Sequence, residues 1–303
     1  MIKKCKGCGI ILQNDNPDQA GYVIDLNMDY CERCFKTRNY NAKINSNMKV
    51  DNDSLVKKIN ENGSYVFFIC DFLNICSEVI NLYNSINCDK VFILSKSDLI
   101  PKNIVINDLL INLKNEYNLD DIIYCSSKNG NIGIIRKKLD EHKKSLFVGP
   151  TNAGKSTLIN ALFDSDITVS SNTNTTLGFL SFKHGDITIY DTPGFNLKNF
   201  IVTETSKNKI NSISYQLNNK YYLQFLNIEI SCNKDNNLTF YFNNIYKISK
   251  RRKLEEIKYD IIIPSNSDLI IKGLGFINIK KECKINVNLD NNLIEIRKSI
   301  IGK

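Results

Sequence analysis

Gly149-Pro150-Thr151-Asn152-Ala153-Gly154-Lys155-Ser156 decides how this chain is read. The stretch has the form G-x-x-x-x-G-K-S, a phosphate-binding loop. The apolar run Leu146-Phe147-Val148 leads in as a buried strand, and Thr157-Leu158-Ile159-Asn160-Ala161-Leu162-Phe163 leads out with helical periodicity. Glycines let successive N–H groups turn inward onto an anion, and the helix N-terminus adds its positive end. Gly149, Asn152, Ala153, Gly154, Lys155, Ser156 and Thr157 are therefore expected to cradle a nucleotide polyphosphate. Lys155 would neutralise β- and γ-phosphate charge, and Ser156 would ligate Mg2+.

A second motif, Asp191-Thr192-Pro193-Gly194, ends the strand-like run Ile187-Thr188-Ile189-Tyr190. After a phosphate-binding loop, D-x-x-G is the usual γ-phosphate sensor: Asp191 would hold Mg2+ through water, and the Gly194 N–H would meet the γ-phosphate. Between the two motifs, Ser170 to Leu177 is a polar run. A threonine there would complete the magnesium shell, Thr176 first and Thr175 second.

The base-reading element is expected in an unusual place. Only 109 residues follow Gly194, and neither N-K-x-D nor S-A-K is among them. Candidates lie upstream. Ser95-Lys96-Ser97-Asp98 follows the strand-like Val91-Phe92-Ile93-Leu94, and Ser126-Ser127-Lys128 follows Ile122-Ile123-Tyr124-Cys125. Asp98 can accept two hydrogen bonds from guanine N1–H and the 2-amino group, a donor pair that adenine lacks. The Lys96 stem can lie along the base, and the Ser127 N–H can reach guanine O6. This order is that of a GTP-binding domain cut and rejoined. A circular permutation is physically permitted because the new termini open at surface loops and the core is unchanged.

In these motifs the chain resembles the circularly permuted GTPases and, within them, the YqeH family of ribosome-assembly GTPases. The N-terminal cysteine pairs and the segment Asp268 to Phe276 share in the resemblance. It implies a GTP-hydrolysing switch acting in assembly of the small ribosomal subunit, with that subunit or its RNA as partner. It also implies that Asn152 helps to bind K+. One residue departs from the pattern, since the family usually has Asn where this chain has Ser95. That Asn braces the base pocket, so its loss bears on guanine affinity more than on specificity. Phe195 stands where many GTPases carry a water-orienting Gln, which implies slow intrinsic hydrolysis.

The 303 residues leave room for two or three domains, and 42% apolar residues suffice for real cores. The longest apolar run, Tyr65 to Cys70, is far too short to span a membrane. No secretory h-region is visible, so a cytoplasmic protein without membrane contact, and a monomer, is expected. The net charge of +8 suits nucleotide phosphates and a polyanion such as RNA. Four of the ten cysteines form Cys5-x-x-Cys8 and Cys31-x-x-Cys34, separated by 22 residues. Two such turns complete a tetrahedral Zn2+ site, whose metal would supply folding energy that so short a segment lacks. Lys36 and Arg38 beside the second turn suit an RNA contact, or simply solvate the small domain.

The expected organisation is α/β. A zinc knuckle domain (1–45) precedes a circularly permuted P-loop GTPase domain with a doubly wound, mostly parallel sheet (46–200). A strand-rich α+β domain (201–303) would contact RNA or ribosomal protein. In the last, Tyr222 to Ile230 and Leu238 to Phe242 alternate as antiparallel strands. Lys247, Lys250, Arg251, Arg252 and Lys253 form the sharpest basic cluster, read either as an RNA or ribosomal-protein contact or as a solvated turn between strand and helix. Two other functions fit the same motifs: a nucleotide-regulated RNA-binding protein with little turnover, or an ATP-using P-loop enzyme indifferent to Asp98.

Overall fold

A computed structural model describes residues 3–5, 11–15, 21–31, 51–128, 130–162, 179–201, 209–255 and 257–302. Cys8, Cys34, Lys36, Arg38, Thr175 and Thr176 lie outside these residues. The chain divides into two compact units, Met1–Cys70 with Leu82–Ser95 and Cys125–Asn196, and Asp71–Asn81 with Lys96–Tyr124 and Leu197–Lys303. This division cuts across the expected 46–200 segment.

The elements alternate up to residue 191. Helix α1 (Asn52–Asn62) opens on Asp51, whose carboxylate accepts from the Ser54 N–H at 3.0 Å, and closes on left-handed Gly63. Strand β1 (Tyr65–Asp71), helix α2 (Ser77–Asn84) and strand β2 (Lys90–Ser95) follow. Helix α3 (Ile106–Tyr117), strand β3 (Ile122–Tyr124), helix α4 (Ile132–Glu141), strand β4 (Lys144–Val148) and helix α5 (Lys155–Leu162) come next. Strands β5 (Leu180–His184) and β6 (Ile187–Asp191) form a hairpin whose turn carries Gly185.

In the first unit, strands lie in the order β2-β1-β4-β6-β5. β1 pairs with β4 and β4 with β6 in parallel, while β5 is antiparallel to β6. β1 and β2 are buried almost end to end, as strands covered on both faces must be. The P-loop strand β4 is thus central, although its neighbour β1 precedes it by some eighty residues of chain. The strand leading to Ser126 is tied in by the Cys125 N–H, which donates to the Leu94 carbonyl at 2.9 Å. In the small N-terminal cluster, Cys5, Leu12, Val23 and Cys31 are buried together.

The second unit holds ten further strands: β7 (Ile213–Leu217), β8 (Tyr221–Phe225), β9 (Ile228–Cys232), β10 (Asn236–Phe242), β11 (Ser249–Arg252), β12 (Ile261–Ile263), β13 (Ser267–Ile271), β14 (Gly275–Ile279), β15 (Cys283–Val287) and β16 (Ile294–Lys298). They form two five-stranded sheets, β16-β13-β14-β10-β7 and β11-β8-β9-β15-β12. Their facing sides share one core, in which Phe225, Phe240 and Phe242 pack with centroids 5.2–5.6 Å apart. Among the described residues this part contains no α-helix: it is two facing sheets where a strand-rich α+β domain was expected. The alternation over Tyr222 to Ile230 is two strands, broken at Leu226-Asn227, where Leu226 takes φ 50°. The basic cluster does not lie on a turn before a helix. Lys250, Arg251 and Arg252 lie on β11, at the edge of its sheet, where charged side chains discourage strand addition, and Lys253 follows it. The backbone is closely approached at Gly273 and Gly275: a Cβ on either would fall within 2.2 Å of a carbonyl oxygen, that of Ile201 or Tyr241.

The sheet containing β13 and β14 is buried on its other side as well, which is why both read as unbroken apolar runs. There Phe72 meets Phe276 edge-on at 5.2 Å. On the same side Arg297 and Asp268 form a buried pair, Nε to Oδ2 at 3.2 Å, with side chains 2% and 0% exposed. Arg297 Nη1 also donates to the Ile75 carbonyl at 2.9 Å, and Asp268 accepts from Asn278 Nδ2 and the Ile300 N–H. Charges this deep are tolerated only when paired and hydrogen-bonded. Arg297→Ala should therefore leave Asp268 as an uncompensated buried charge and destabilise the fold by about 3–5 kcal/mol. Urea unfolding of the variant beside the wild type measures this.

Candidate nucleotide site

Ser95, Gly149 and Asp191 stand at or just past the carboxyl ends of β2, β4 and β6, the edge where open α/β sheets take ligands. Gly149, at φ 150°, leaves β4 against the end of β1. A Cβ there would lie 2.0 Å from the Ile69 carbonyl oxygen, so no other residue fits. Asn152 turns the loop at φ 62° and Gly154 at φ 98°, and α5 begins at Lys155. Lys155 is buried, and its Nζ donates to the Gly149 and Pro150 carbonyls at 3.0 Å each. Ser156 Oγ donates to Asp191 Oδ2 at 2.8 Å. Two oxygen donors expected to serve Mg2+ are thereby brought together, a fit that the sequence spacing could not show.

The segment after Asp191 is locked to the P-loop through its backbone. The Phe195 N–H donates to the Gly149 carbonyl and the Thr151 N–H to the Phe195 carbonyl, both at 3.1 Å. The Phe195 side chain is fully buried and stacks near Phe68, with centroids 6.2 Å apart. It is a core residue, aimed away from solvent.

Of the base-reading candidates, Ser95 ends β2, and Ser126 lies just past β3. Ser95 is buried, and its Oγ donates to the Ala153 carbonyl at 2.6 Å. This hydroxyl braces the P-loop from β2, a contact across 58 positions that sequence reasoning missed. Lys96 takes the left-handed conformation, φ 55° and ψ 37°, and a short 3-10 turn over Ser97–Leu99 carries half-buried Asp98. Lys96 Nζ pairs with Asp71 Oδ2 at 2.9 Å. Ser126 closes a small turn: its N–H donates to the Gly130 carbonyl and its Oγ accepts from the Lys128 N–H. Ser127 is half-buried beside it.

Residues 72–201 match the family described as RsgA GTPase, and residues 144–262 match that described as 50S ribosome-binding GTPase. Over these residues the chain is thus similar to GTPases, and in it strand β2, which ends at Ser95, precedes the P-loop strand β4. No curated protein matches the chain. Among solved structures, YjeQ from Thermotoga maritima is 22% identical, with a TM-score of 0.34 over 43% of this chain and 48% of that one. GNP-bound YlqF from the same organism is 20% identical, with a TM-score of 0.32 over 50% of this chain and 58% of that one. The chain thus spans about half the length of these two proteins. Among the described residues, no helix of this chain is long and apolar enough to cross a membrane.

Of the other predicted site residues, Cys5 and Cys31 lie together, the Cys31 N–H donating to Cys5 Sγ at 3.1 Å. Lys250 Nζ donates to the Gln216 carbonyl, Lys253 Nζ lies over the Tyr259 ring, and Arg251 and Arg252 are exposed.

Burial lowers the Lys155 ammonium from 10.5 to about 8, with the Asp191 carboxylate offsetting part of the shift. A polyphosphate beside Nζ favours the charged form and raises that value again. Affinity is therefore full below about pH 8 and falls as the pH rises through the free-state value. Between the free and bound values, binding takes up a proton. Calorimetry of GTP binding near pH 8.5, in buffers of different ionisation enthalpy, should show net uptake of most of a proton, as an order-of-magnitude expectation, lost in Lys155→Met.

Proposed function

We propose that this protein is a GTP-hydrolysing switch whose partner is the small ribosomal subunit or its RNA, as the YqeH resemblance implies. The observation that carries the nucleotide reading is the Ser95 Oγ contact with Ala153, which couples the base-reading strand to the phosphate loop. Asp98 would accept from guanine N1–H and the 2-amino group, Lys96 would cover the base, and the Ser127 N–H would meet O6. Ser126 and Lys128 shape that turn. Gly149, Asn152, Ala153, Gly154 and Thr157 would surround the phosphates. Lys155 would neutralise their charge, and Gly194 would sense the γ-phosphate. Ser156, Asp191 and Thr176 would hold Mg2+, which screens phosphate charge when bound.

The test is guanine discrimination. Asp98→Asn should weaken GTP binding by about a hundredfold while binding of xanthosine triphosphate improves, since the base edge and the side chain would again complement each other. Equal binding of ATP and GTP by the wild type, or a silent Asp98→Asn, would sink this reading and favour an ATP-using enzyme.

Phe195 supports slow intrinsic turnover, because a side chain committed to the core orients no water. K+ held by Asn152 and contact with ribosomal subunits are the proposed sources of acceleration. A second reading, a nucleotide-regulated RNA-binding protein with little turnover, draws on the same buried phenylalanine. Single-turnover hydrolysis with and without K+ and small subunits separates the two. RNA contact is proposed for exposed Arg251 and Arg252 with Lys250 and Lys253, and for Lys36 and Arg38.

A Cys5–Cys8–Cys31–Cys34 zinc site is part of the proposal. It is supported by the buried Cys5 and Cys31 and by the N–H···S bond between them, the kind of contact that orients a thiolate ligand. Mercurial titration with a colorimetric chelator should release about one equivalent of zinc, and Cys31→Ser should abolish that release and unfold the N-terminal segment.

A further inference from the structure

The loop after β1 does two things that neither the P-loop nor the base-reading turn requires. Asp71, 9% exposed at its side chain, uses both carboxylate oxygens. Oδ1 accepts from the Leu73 N–H at 3.2 Å and from Asn74 Nδ2 at 2.9 Å, which is an ordinary loop cap. Oδ2 accepts from Asn74 Nδ2 and also from Lys96 Nζ, at 2.9 Å. The loop is itself held on its far side. Arg297 Nη1 donates to the Ile75 carbonyl, and the Glu295 carboxylate accepts from the Ser77 N–H at 2.9 and 3.1 Å and from Ser77 Oγ at 2.6 Å.

Lys96 is the residue that needs such an anchor. It stands in the left-handed region without being glycine, a strained conformation that persists only where its surroundings fix it. Its backbone is fixed by the turn, where the Leu99 N–H donates to the Lys96 carbonyl at 2.9 Å. Its side chain, four rotatable bonds long and one-third exposed, is held at the tip by Asp71.

We propose that Asp71 is a positioning residue for nucleotide binding: its carboxylate holds the Lys96 ammonium, so that the lysine stem is laid out for a purine base before the nucleotide arrives. The proposal rests on the reading of Lys96 and Asp98 as the base-reading pair. Its energetic basis is preorganisation, since a lysine already ordered loses less freedom on binding. Because the loop is pinned by β16, the C-terminal sandwich supports the same alignment from behind.

The test is a double-mutant cycle with Asp71→Asn and Lys96→Met, read as equilibrium binding of fluorescent GDP and GTP, with ATP competition of the wild type in the same assay. Asp71→Asn keeps the size and the loop-capping oxygen and removes the charge. It should weaken GDP and GTP alike by roughly tenfold, but by less than about twofold when Lys96 is already Met. A purely structural Asp71 predicts equal losses in both backgrounds. That additivity, or wild-type affinity in Asp71→Asn, would overturn the proposal while leaving the guanine reading intact. A wild type that does not prefer guanine would overturn both. If Asp71→Asn also lowers the melting temperature of the free protein, the cycle still decides, because a loosened fold weakens binding whatever stands at position 96.

Discussion

The parallel pairing of β1 with β4 is the contact on which the nucleotide site depends. It sets Tyr65 to Phe68 beside Ser145 to Val148 and brings the Ile69 carbonyl against Gly149. The P-loop can leave β4 only because position 149 lacks a side chain. The same pairing is formed by strands some eighty residues apart in the chain. A sheet is indifferent to which strand comes first in the chain, provided that each strand finds the neighbours that satisfy its backbone and bury its faces. Here the strand that opens the sheet along the chain is central in space, and the phosphate loop is assembled on a framework already laid down by residues before it.

The second unit solves a different problem. A sandwich sheet usually buries one face, yet β13 and β14 bury both. The extra face is covered by Phe72 and by the loop that ends at Ser77, and its centre holds the Arg297–Asp268 pair. Buried charge contributes little net stability, but it is exacting about geometry. Asp268 must meet Arg297, Asn278 and the Ile300 N–H at once, and Arg297 must meet Ile75. The pair therefore specifies one docking of the loop rather than many. This gives a physical reason for a polar cluster inside an apolar sheet.

Local patterns made much of this legible in the sequence. The buried run Tyr65 to Asp71 is β1 end to end, and the G-x-x-x-x-G-K-S stretch leads into α5 as its periodicity requires. Two features were misread for identifiable reasons. Alternation persists through Tyr222 to Ile230 because a two-residue hairpin at Leu226-Asn227 keeps the period, and neither residue is a turn signal as strong as Asn-Gly. The basic run at 250–253 reads as a turn because charge normally marks solvent, but an edge strand is also solvated on one side. What the sequence could not show is long-range. Ser95 to Ala153, Asp71 to Lys96 and Arg297 to Ile75 are contacts between residues far apart in the chain, and no periodicity encodes them.

Ser95 shows how one of these contacts changes a sequence argument. Read alone, the loss of the usual Asn subtracts a bracing group. In the structure, the shorter hydroxyl still donates to the Ala153 carbonyl, and at 2.6 Å. A hydroxyl donates and accepts at one atom, whereas an amide spreads two donors and a carbonyl acceptor over two atoms. The hydroxyl thus ties the end of β2 to the phosphate loop. The turn that follows has its own fixed points: the left-handed Lys96, the Leu99 N–H bond to its carbonyl and the Asp71 carboxylate at the tip of its side chain.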